Sequence, residues 1–388
     1  SDNSLAKLMT VDNTAKPQEA SEQFTDIVGS HAQLSTIAPS GSTAAGVLEQ
    51  IFAGSPYLSG LIARDPDAAA VELACEPRQV LDGVYSDLAT DIANTEEFEG
   101  AQMALRHARE RAARLIALVD IGNVWPVDDV IAALSTTAER IITAAVDWLL
   151  MDCARRGRLT IADERHPGTG SGYIVLGLGK LGGGELNYSS DIDLIVFFDR
   201  DRAPVCGDAD AQSVFVRMTK DLVRLLQERT ADGYAYRTDL RLRPDPGATN
   251  VAISVAAAEQ YYESLGQNWE RAAMIKARPV AGDIDAGNAF LAELAPFIWR
   301  RYLDFAAIAD VHSIKRQIEA YRGHGTLAVA GHNIKLGRGG IREIEFFVQT
   351  QQLIAGGRQH ELRGRKTLEM LGALEDIGWI DAEFVGDD

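Results

Sequence analysis

Two aspartates at the entry to an apolar run are the residues of this sequence best suited to chemistry. Asp191 and Asp193 precede residues 194–198, which are all apolar. Side chains two positions apart on a strand lie on one face, so we expect both carboxylates to project together. Paired carboxylates are typical magnesium ligands in phosphoryl and nucleotidyl transfer. The same pair is also compatible with a solvated strand entry, so it does not decide the chemistry alone.

A third carboxylate lies in a later segment of alternating character. Residues 234–243 predict a strand in which Arg237, Asp239, Arg241 and Arg243 share one face and mainly apolar residues share the other. Three carboxylates can hold two magnesium ions, and arginine binds phosphate oxygens in bidentate fashion. Two ions stabilise the attacking and the leaving oxygens of an in-line displacement at phosphorus. The third aspartate therefore favours metal-dependent chemistry over a solvated strand entry.

A glycine-rich turn precedes the aspartates and matches two phosphate motifs superficially. Residues 177–182 fit the G-x-G-x-x-G dinucleotide fingerprint, and Asp199 lies about 20 residues further on, where a ribose-binding acid would be. A parallel crossover needs about a dozen residues or more, and residues 183–190 are too few and form helices poorly. A Walker P-loop is excluded because Leu181, not Ser or Thr, follows Lys180. We therefore favour a phosphate-cradling turn over a dinucleotide site.

These residues need a sheet to position them, and the sequence predicts one. The expected strands are residues 173–177, 191–198, 234–243, 251–255 and 273–278. Between them, Val214, Met218, Leu222 and Leu225 recur at helical spacing and predict an amphipathic helix. The sequence thus indicates an α+β fold with a mixed sheet.

The regions before and after this part have helical periodicity. Leu105, Ala108, Ala112, Leu115 and Val119 form one apolar stripe. Its other side carries arginines, which we interpret as a solvated helix face: Arg106, Arg109, Arg111 and Arg114. We therefore expect N- and C-terminal helical regions on either side of the sheet in the sequence.

Composition limits the classes of partner. The 388 residues carry 38 basic and 56 acidic side chains, a net charge of −18, which argues against general nucleic-acid or membrane binding. The three cysteines (Cys75, Cys153 and Cys206) match no metal spacing and fit a reducing compartment. There is no apolar run of membrane-spanning length and no secretory leader. These features predict a soluble, cytoplasmic protein.

Four motifs, in order along residues 171–355, carry a family resemblance. They read GKLGGGELNYSSDIDLIVFFD, RTDLRLRPDP, NWERAAMIKARPVAGD and IKLGRGGIREIEFFVQ. The glycine turn, the Asp-x-Asp pair and the later aspartate resemble the DNA polymerase β-type nucleotidyltransferase superfamily. Taken together, the motifs resemble the family of bifunctional glutamine synthetase adenylyltransferase/adenylyl-removing enzymes.

The resemblance implies specific roles for individual residues. Asp191, Asp193 and Asp239 would be the catalytic residues and the ligands of Mg²⁺. Gly182 and Gly183 would correspond to the phosphate-cradling turn. The other residues expected to bind nucleotide or phosphate are Ser190, Arg241, Arg243 and Lys276.

The resemblance also implies a domain layout. A polymerase β-like nucleotidyltransferase domain would span residues 166–283, between an N-terminal helical region (1–165) and a C-terminal helical domain (284–388). The chain ends without a closing signature, so we expect a fragment of a longer protein.

That family carries two nucleotidyltransferase domains, and ELNYSSDIDL resembles the copy that removes AMP. The implied reaction is phosphorolysis of adenylylated glutamine synthetase, in which phosphate attacks and ADP leaves. The uridylylated PII signal protein would be a further partner. Two alternatives stay open, which are AMP transfer from ATP to glutamine synthetase and a non-catalytic docking module.

Overall fold

A computed structural model describes residues 4–10, 18–207, 209–301, 334–335 and 339–380. Contacts divide the chain into two compact units. The first comprises residues 1–148, 186–190 and 222–237, and the second comprises residues 149–185, 191–221 and 238–388. The layout expected from the sequence has three continuous domains, whereas these two units are defined by contacts and are built from separate stretches of chain. The three-domain layout stays a prediction.

The first unit is helical. Its helices are α1 (Leu5–Leu8), α2 (Gln18–Ser30), α3 (Ala32–Ile37), α4 (Thr43–Gly54), α5 (Pro56–Arg64), α6 (Pro66–Ala74), α7 (Pro77–Asn94), α8 (Phe98–Ile121) and most of α9 (Val127–Arg155). Three of them begin alike, because Ser55, Asp65 and Glu76 accept backbone N–H bonds as N-caps and a proline follows each cap. No helix in the described part of the chain is long and apolar enough to cross a membrane.

Helix α8 confirms the predicted apolar stripe but not the solvated arginine face. The five stripe residues are buried, and so are Arg106, 0% exposed, and Arg114, 4% exposed. Arg106 donates to the backbone carbonyls of Leu225 and Gly233, at 3.1 Å each. Arg114 forms a two-point ion pair with the buried Glu72, at 2.7 and 2.8 Å. The prediction was wrong for Arg106 and Arg114 because their partners lie far away in the sequence, whereas Arg109 and Arg111 are only partly buried.

The second unit contains a five-stranded mixed sheet, which confirms the α+β class. Its strands are β1 (Tyr173–Gly177), β2 (Ile192–Phe198), β3 (Thr238–Asp239), β4 (Ala252–Ser254) and β5 (Arg278–Gly282). The strand order is β3-β2-β1-β5, and β4 pairs with β2 beside β3. β1 is antiparallel to both β2 and β5, whereas β3 and β4 are parallel to β2.

The second unit also contains the end of α9 and several shorter helices. The shorter helices are α10 (Gly179–Gly183), α11 (Ala211–Gln227, whose last residues belong to the first unit), α12 (Val255–Ser264), α13 (Asn268–Met274), α14 (Ile284–Ile298), α15 (Ile341–Ala355) and α16 (Thr367–Asp376). A 3₁₀ turn covers His360–Leu362. The four apolar residues that predicted α11 are buried.

Two predicted strands differ from the structure. In residues 234–243 only Thr238 and Asp239 pair with β2, and the chain then turns, so Arg241 and Arg243 do not share a strand face with Asp239. Residues 273–278 are mostly not a strand. Helix α13 includes residues up to Met274, and the Gln267 N–H bonds the Glu270 carboxylate at 2.8 Å, which caps the start of this helix.

Candidate active site

The two strands around the glycine turn run in opposite directions. β1 and β2 are antiparallel, and Gly177 lies opposite Leu194. A dinucleotide fingerprint requires parallel strands joined by a crossover helix. Here the connection holds only the short helix α10 and a loop. The dinucleotide alternative is therefore excluded.

Gly179 brings the turn directly against Asp193. Its φ of +53° lies in the left-handed region, and a Cβ at this position would come within 2.6 Å of Asp193 Oδ2. The Leu178 N–H also donates to the Asp193 backbone carbonyl at 2.9 Å. The start of the turn thus lies beside one of the two aspartates of the Asp-x-Asp pair.

Gly182 and Gly183, at the end of the turn, pack closely against Lys276, which precedes β5, and against Glu185. A Cβ on Gly182 would lie 2.1 Å from the Lys276 carbonyl oxygen. One on Gly183 would lie 2.8 Å from Glu185 Oε2. The Gly182 N–H already donates to the Leu178 carbonyl at 2.9 Å. Both glycines are therefore needed for close packing, and the predicted phosphate contact stays a prediction.

Asp193 and Asp239 are neighbours on adjacent parallel strands. They stand opposite each other in the β2–β3 register. Burial raises the pKa of Asp193 to about 6 from 3.8; the carboxylates of Asp239 and Asp191 add to the rise, and Arg342 and Arg241 oppose it. A half-buried carboxylate among like charges is costly unless a cation joins it. We call Asp191, Asp193 and Asp239 the aspartate centre.

Arg241 contacts the aspartate centre directly, through Asp239. Its Nη2 lies 2.5 Å from Asp239 Oδ2, and its Nε lies 3.0 and 2.9 Å from the two carboxylate oxygens. These side-chain hydrogen bonds hold the pKa of Asp239 below its usual value. The Arg241 side chain is 84% exposed, so it is free to exchange partners.

The aspartate centre fits a magnesium ion by the chemistry of its donors. Carboxylate oxygens are hard ligands, and a divalent cation would offset both the burial and the like charges that raise the pKa of Asp193. As placed, no group of three or more His, Cys, Asp or Glu side chains in the described ranges is close enough to share one ion. Asp239 faces Arg241 instead. That the three residues hold Mg²⁺ therefore stays a prediction, and it requires Asp239 to exchange its contact with Arg241.

Comparison with known proteins gives the family. Residues 45–293 match the model described as "Glutamate-ammonia ligase adenylyltransferase", a span that includes the whole aspartate centre. The chain belongs to this family. Residues 312–387 also match the model "GlnD PII-uridylyltransferase". The mixed sheet fits the nucleotidyltransferase-like fold of the adenylyltransferase family.

Similar proteins from bacteria carry one name, "Bifunctional glutamine synthetase adenylyltransferase/adenylyl-removing enzyme". The protein of Xanthobacter autotrophicus is 56% identical over 328 residues, which cover 84% of this chain and 33% of that protein. That of Mesorhizobium japonicum is 55% identical over 339 residues, or 87% of this chain and 34% of that protein. The chain thus spans about a third of the length of these relatives.

The other predicted binding residues of this family member already have protein partners. Arg243 donates to the backbone carbonyls of Leu240, Pro246 and Asn250, at 2.9, 2.8 and 3.1 Å, and so shapes the loop after β3. The Ser190 hydroxyl accepts the N–H of a residue in its own loop at 3.2 Å. Their contacts with nucleotide or phosphate stay predictions.

Lys276 is buried rather than exposed. Its side chain is 4% exposed, and Nζ donates to Glu185 Oε2 at 2.6 Å and to Thr367 Oγ1 at 2.9 Å. Sequence reasoning assigned Lys276 to a strand face and missed both partners. Lys276 lies in the link between α13 and β5, and its partners are 91 residues away on either side.

Tyr188, to which the sequence assigned no role, lies in the first unit. The Tyr188 hydroxyl donates to Asp120 Oδ2 at 2.7 Å. Arg109 and Arg237 donate to the backbone carbonyls of Tyr188 and Ser189, at 3.1 and 2.8 Å. These bonds fix the segment that leads along the chain to Asp191.

Proposed function

We propose that this chain removes AMP from the adenylyl-tyrosine of glutamine synthetase by phosphorolysis. The observation that carries the proposal is the pair Asp193 and Asp239, side by side on parallel strands, with the glycine turn against Asp193. Relatives at more than half identity bear a name that includes both AMP addition and AMP removal. The choice of removal is supported by the resemblance of ELNYSSDIDL to the AMP-removing copy.

In the proposed reaction an oxygen of inorganic phosphate attacks the phosphorus of the adenylyl group. The bond from phosphorus to the tyrosyl oxygen breaks, and that oxygen leaves with the electron pair and takes up a proton. The products are ADP and free tyrosine. Asp191, Asp193 and Asp239 would hold Mg²⁺, which supplies charge neutralisation at the phosphoryl group.

The protein's own residues have separate tasks in this scheme. Asp193 is held against the glycine turn by the Leu178 N–H bond to its carbonyl. Arg241 is exposed and near Asp239, so it is placed to bind the attacking phosphate after it leaves the carboxylate. Arg342, on the first turn of α15, adds positive charge that acts on Asp193. These cations would offset the charge of two phosphate groups.

AMP transfer from ATP to glutamine synthetase is the second candidate, because the family model that matches the chain is described as an adenylyltransferase. A docking module without activity is less favoured. Such a module has no need for a carboxyl group whose pKa is raised to about 6 by burial and, next, by the neighbouring Asp239. The uridylylated PII signal protein is proposed as a regulatory partner and the cytoplasm as the location.

The deciding experiment supplies both reactions with labelled phosphorus. The chain is mixed with adenylylated glutamine synthetase, Mg²⁺ and ³²P-labelled phosphate, and in parallel with unmodified glutamine synthetase and α-³²P-labelled ATP. Labelled ADP in the first mixture is the expected result. If label appears only on glutamine synthetase in the second mixture, the chain adds AMP and does not remove it. No product in either mixture would favour the docking module.

A further inference from the structure

A second carboxylate in the same unit lies at the other end of the glycine turn: Asp193 is beside Gly179, whereas Glu185 is beside Gly183. Glu185 Oε2 accepts Lys276 Nζ at 2.6 Å, and Oε1 accepts the backbone N–H of Thr367 at 2.7 Å. The Thr367 hydroxyl lies 2.9 Å from Lys276 Nζ and 3.3 Å from Oε2. We call Glu185, Lys276 and Thr367 the Glu185 joint.

The Glu185 joint is closed to solvent on its cationic side. The side chain of Lys276 is 4% exposed, and that of Glu185 is 21% exposed. Both carboxylate oxygens have partners, so the negative charge is matched by an ammonium, an N–H and a hydroxyl. Paired and hydrogen-bonded charges of this kind hold one geometry because any departure leaves a buried charge uncompensated.

The joint lies directly against the glycine turn. Added Cβ atoms on Gly182 and Gly183 would lie 2.1 Å from the Lys276 carbonyl and 2.8 Å from Glu185 Oε2. Arg278, two residues beyond Lys276, donates to the carbonyls of Leu181 and Gly182 at 3.1 and 3.0 Å. The Arg278 guanidinium thus bonds the turn directly, and the Lys276 backbone and the Glu185 carboxylate lie in close contact with it.

The joint also fixes the start of α16. The first N–H groups of a helix have no partner within the helix, and a carboxylate is a favourable acceptor there. Thr367 is the first residue of α16, and the acceptor of its N–H is Glu185, 182 residues earlier. Arg365 donates to the Ala277 carbonyl at 3.0 Å and reinforces the same connection.

We infer that Glu185 is a positioning residue that holds the glycine turn, and that Thr367 ties the C-terminal helices to that turn. Lys276 then acts through Glu185 and not on a phosphate. A displacement of α16 would move the acceptor of its first N–H, and with it the turn that lies against Asp193. The consequence for catalysis rests on the proposed function, whereas the positioning of the turn does not.

Hydrogen–deuterium exchange of residues 178–185 tests the positioning independently of any reaction. The amides of Gly182, Gly184 and Glu185 donate within the turn, at 2.9, 3.1 and 2.8 Å, and report its opening. Glu185→Gln removes the charge but keeps the size, and we expect exchange at these amides to rise at least tenfold. Thr367→Val, a milder change, should raise it about threefold.

Glu369→Gln is the matched control, because it removes a carboxylate from the same helix whose ion pair with Lys366 is exposed. It should leave exchange in the turn unchanged. Unchanged exchange in Glu185→Gln, or an equal rise in Glu369→Gln, would overturn the inference. Unfolding temperatures of the variants identify any global loss of structure. If Glu185→Gln unfolds globally, the exchange of the turn in Thr367→Val tests the inference in its place, and an unchanged rate there would overturn it.

Steady-state kinetics then measure the consequence for the reaction. In phosphorolysis of adenylylated glutamine synthetase, Glu185→Gln should raise the KM for phosphate about tenfold while Glu369→Gln matches wild type. Wild-type kinetics together with faster exchange would disprove the catalytic consequence only. If wild type itself releases no ADP but exchange responds as expected, the proposed function fails and the positioning role stands.

Discussion

Two carboxylates lie beside the two ends of the glycine turn, Asp193 at Gly179 and Glu185 at Gly183, and their surroundings differ in kind. At the Glu185 joint the negative charge is matched by an ammonium, an N–H and a hydroxyl, with Lys276 only 4% exposed. At the aspartate centre, Asp193 stands beside Asp239 and its pKa is raised to about 6, by burial first and by like charge second.

The difference separates a structural carboxylate from a ligand-binding one. A satisfied ion pair gains nothing from a further cation, whereas crowded carboxylates gain a great deal. Perturbed carboxyl groups of the second type concentrate at functional sites. On this basis we propose that the aspartate centre carries the chemistry and that the Glu185 joint supports it.

The largest effect is expected from Asp193→Asn, which removes a proposed metal ligand from the aspartate centre. ADP formation from adenylylated glutamine synthetase should fall on the order of 10³-fold, because metal-ion stabilisation is worth several kcal/mol. Folding stability should not fall, since the substitution removes a repelled charge. Asp199→Asn, at the other end of β2, is the control and should keep near-normal activity. Activity of Asp193→Asn within tenfold of wild type would contradict the assignment.

The next effect concerns stability at the Glu185 joint. Lys276→Met leaves Glu185 without its cation, and we expect a loss of about 2 kcal/mol, below the value for a fully buried pair because Glu185 is 21% exposed. Lys366→Met removes an exposed pair and should cost less than about 0.5 kcal/mol. Urea unfolding of both variants makes the comparison. Equal losses would mean that the joint is no stronger than a surface contact.

A smaller effect separates Arg241 from Arg243. Arg241→Gln should raise the KM for phosphate about tenfold, the value of one charge-assisted contact, with little change in stability. Arg243→Gln should instead lower stability by about 1 kcal/mol, because Arg243 donates to three carbonyls of its loop. If Arg243→Gln raised the KM for phosphate and Arg241→Gln lowered the stability in urea, the binding role would belong to Arg243 and the structural role to Arg241.

The smallest effect is a pH dependence without divalent cations. The folded-state pKa of Asp193, about 6, lies above its ordinary value of 3.8, so the folded protein favours the neutral acid. The contribution of Asp193 to stability is therefore greatest at low pH and is lost as pH rises through about 6. Between pH 5 and 7, wild type should lose about 1 kcal/mol relative to Asp193→Asn in urea unfolding. Parallel pH profiles would contradict the raised pKa.

The local parts of the fold were readable from the sequence. Apolar runs bounded by polar residues predicted β1, β2 and β4, and helical spacing predicted α11. β5 was misplaced because Pro279, which lacks an N–H, lies inside it. Proline is tolerated there because β5 is an edge strand.

The environments of several charged residues could not be predicted from the sequence. Strand periodicity and motif order predicted Asp191, Asp193 and Asp239 as one group, and the β2–β3 register does place Asp193 opposite Asp239. The role of the three residues stays a prediction. Glu185 and Lys276 are partners across 91 residues, so no spacing along the chain connects them. For the same reason, the burial of Arg106 and Arg114 depends on contacts that a helical pattern does not contain.

Metal binding by variants of the two carboxylates tests the comparison most directly. Mn²⁺, as a probe for Mg²⁺, is titrated into wild type, Asp193→Asn and Glu185→Gln and followed by electron paramagnetic resonance. We predict that Asp193→Asn binds Mn²⁺ at least 100-fold more weakly than wild type, whereas Glu185→Gln binds it within threefold. Equal Mn²⁺ affinity in wild type and Asp193→Asn would contradict the account.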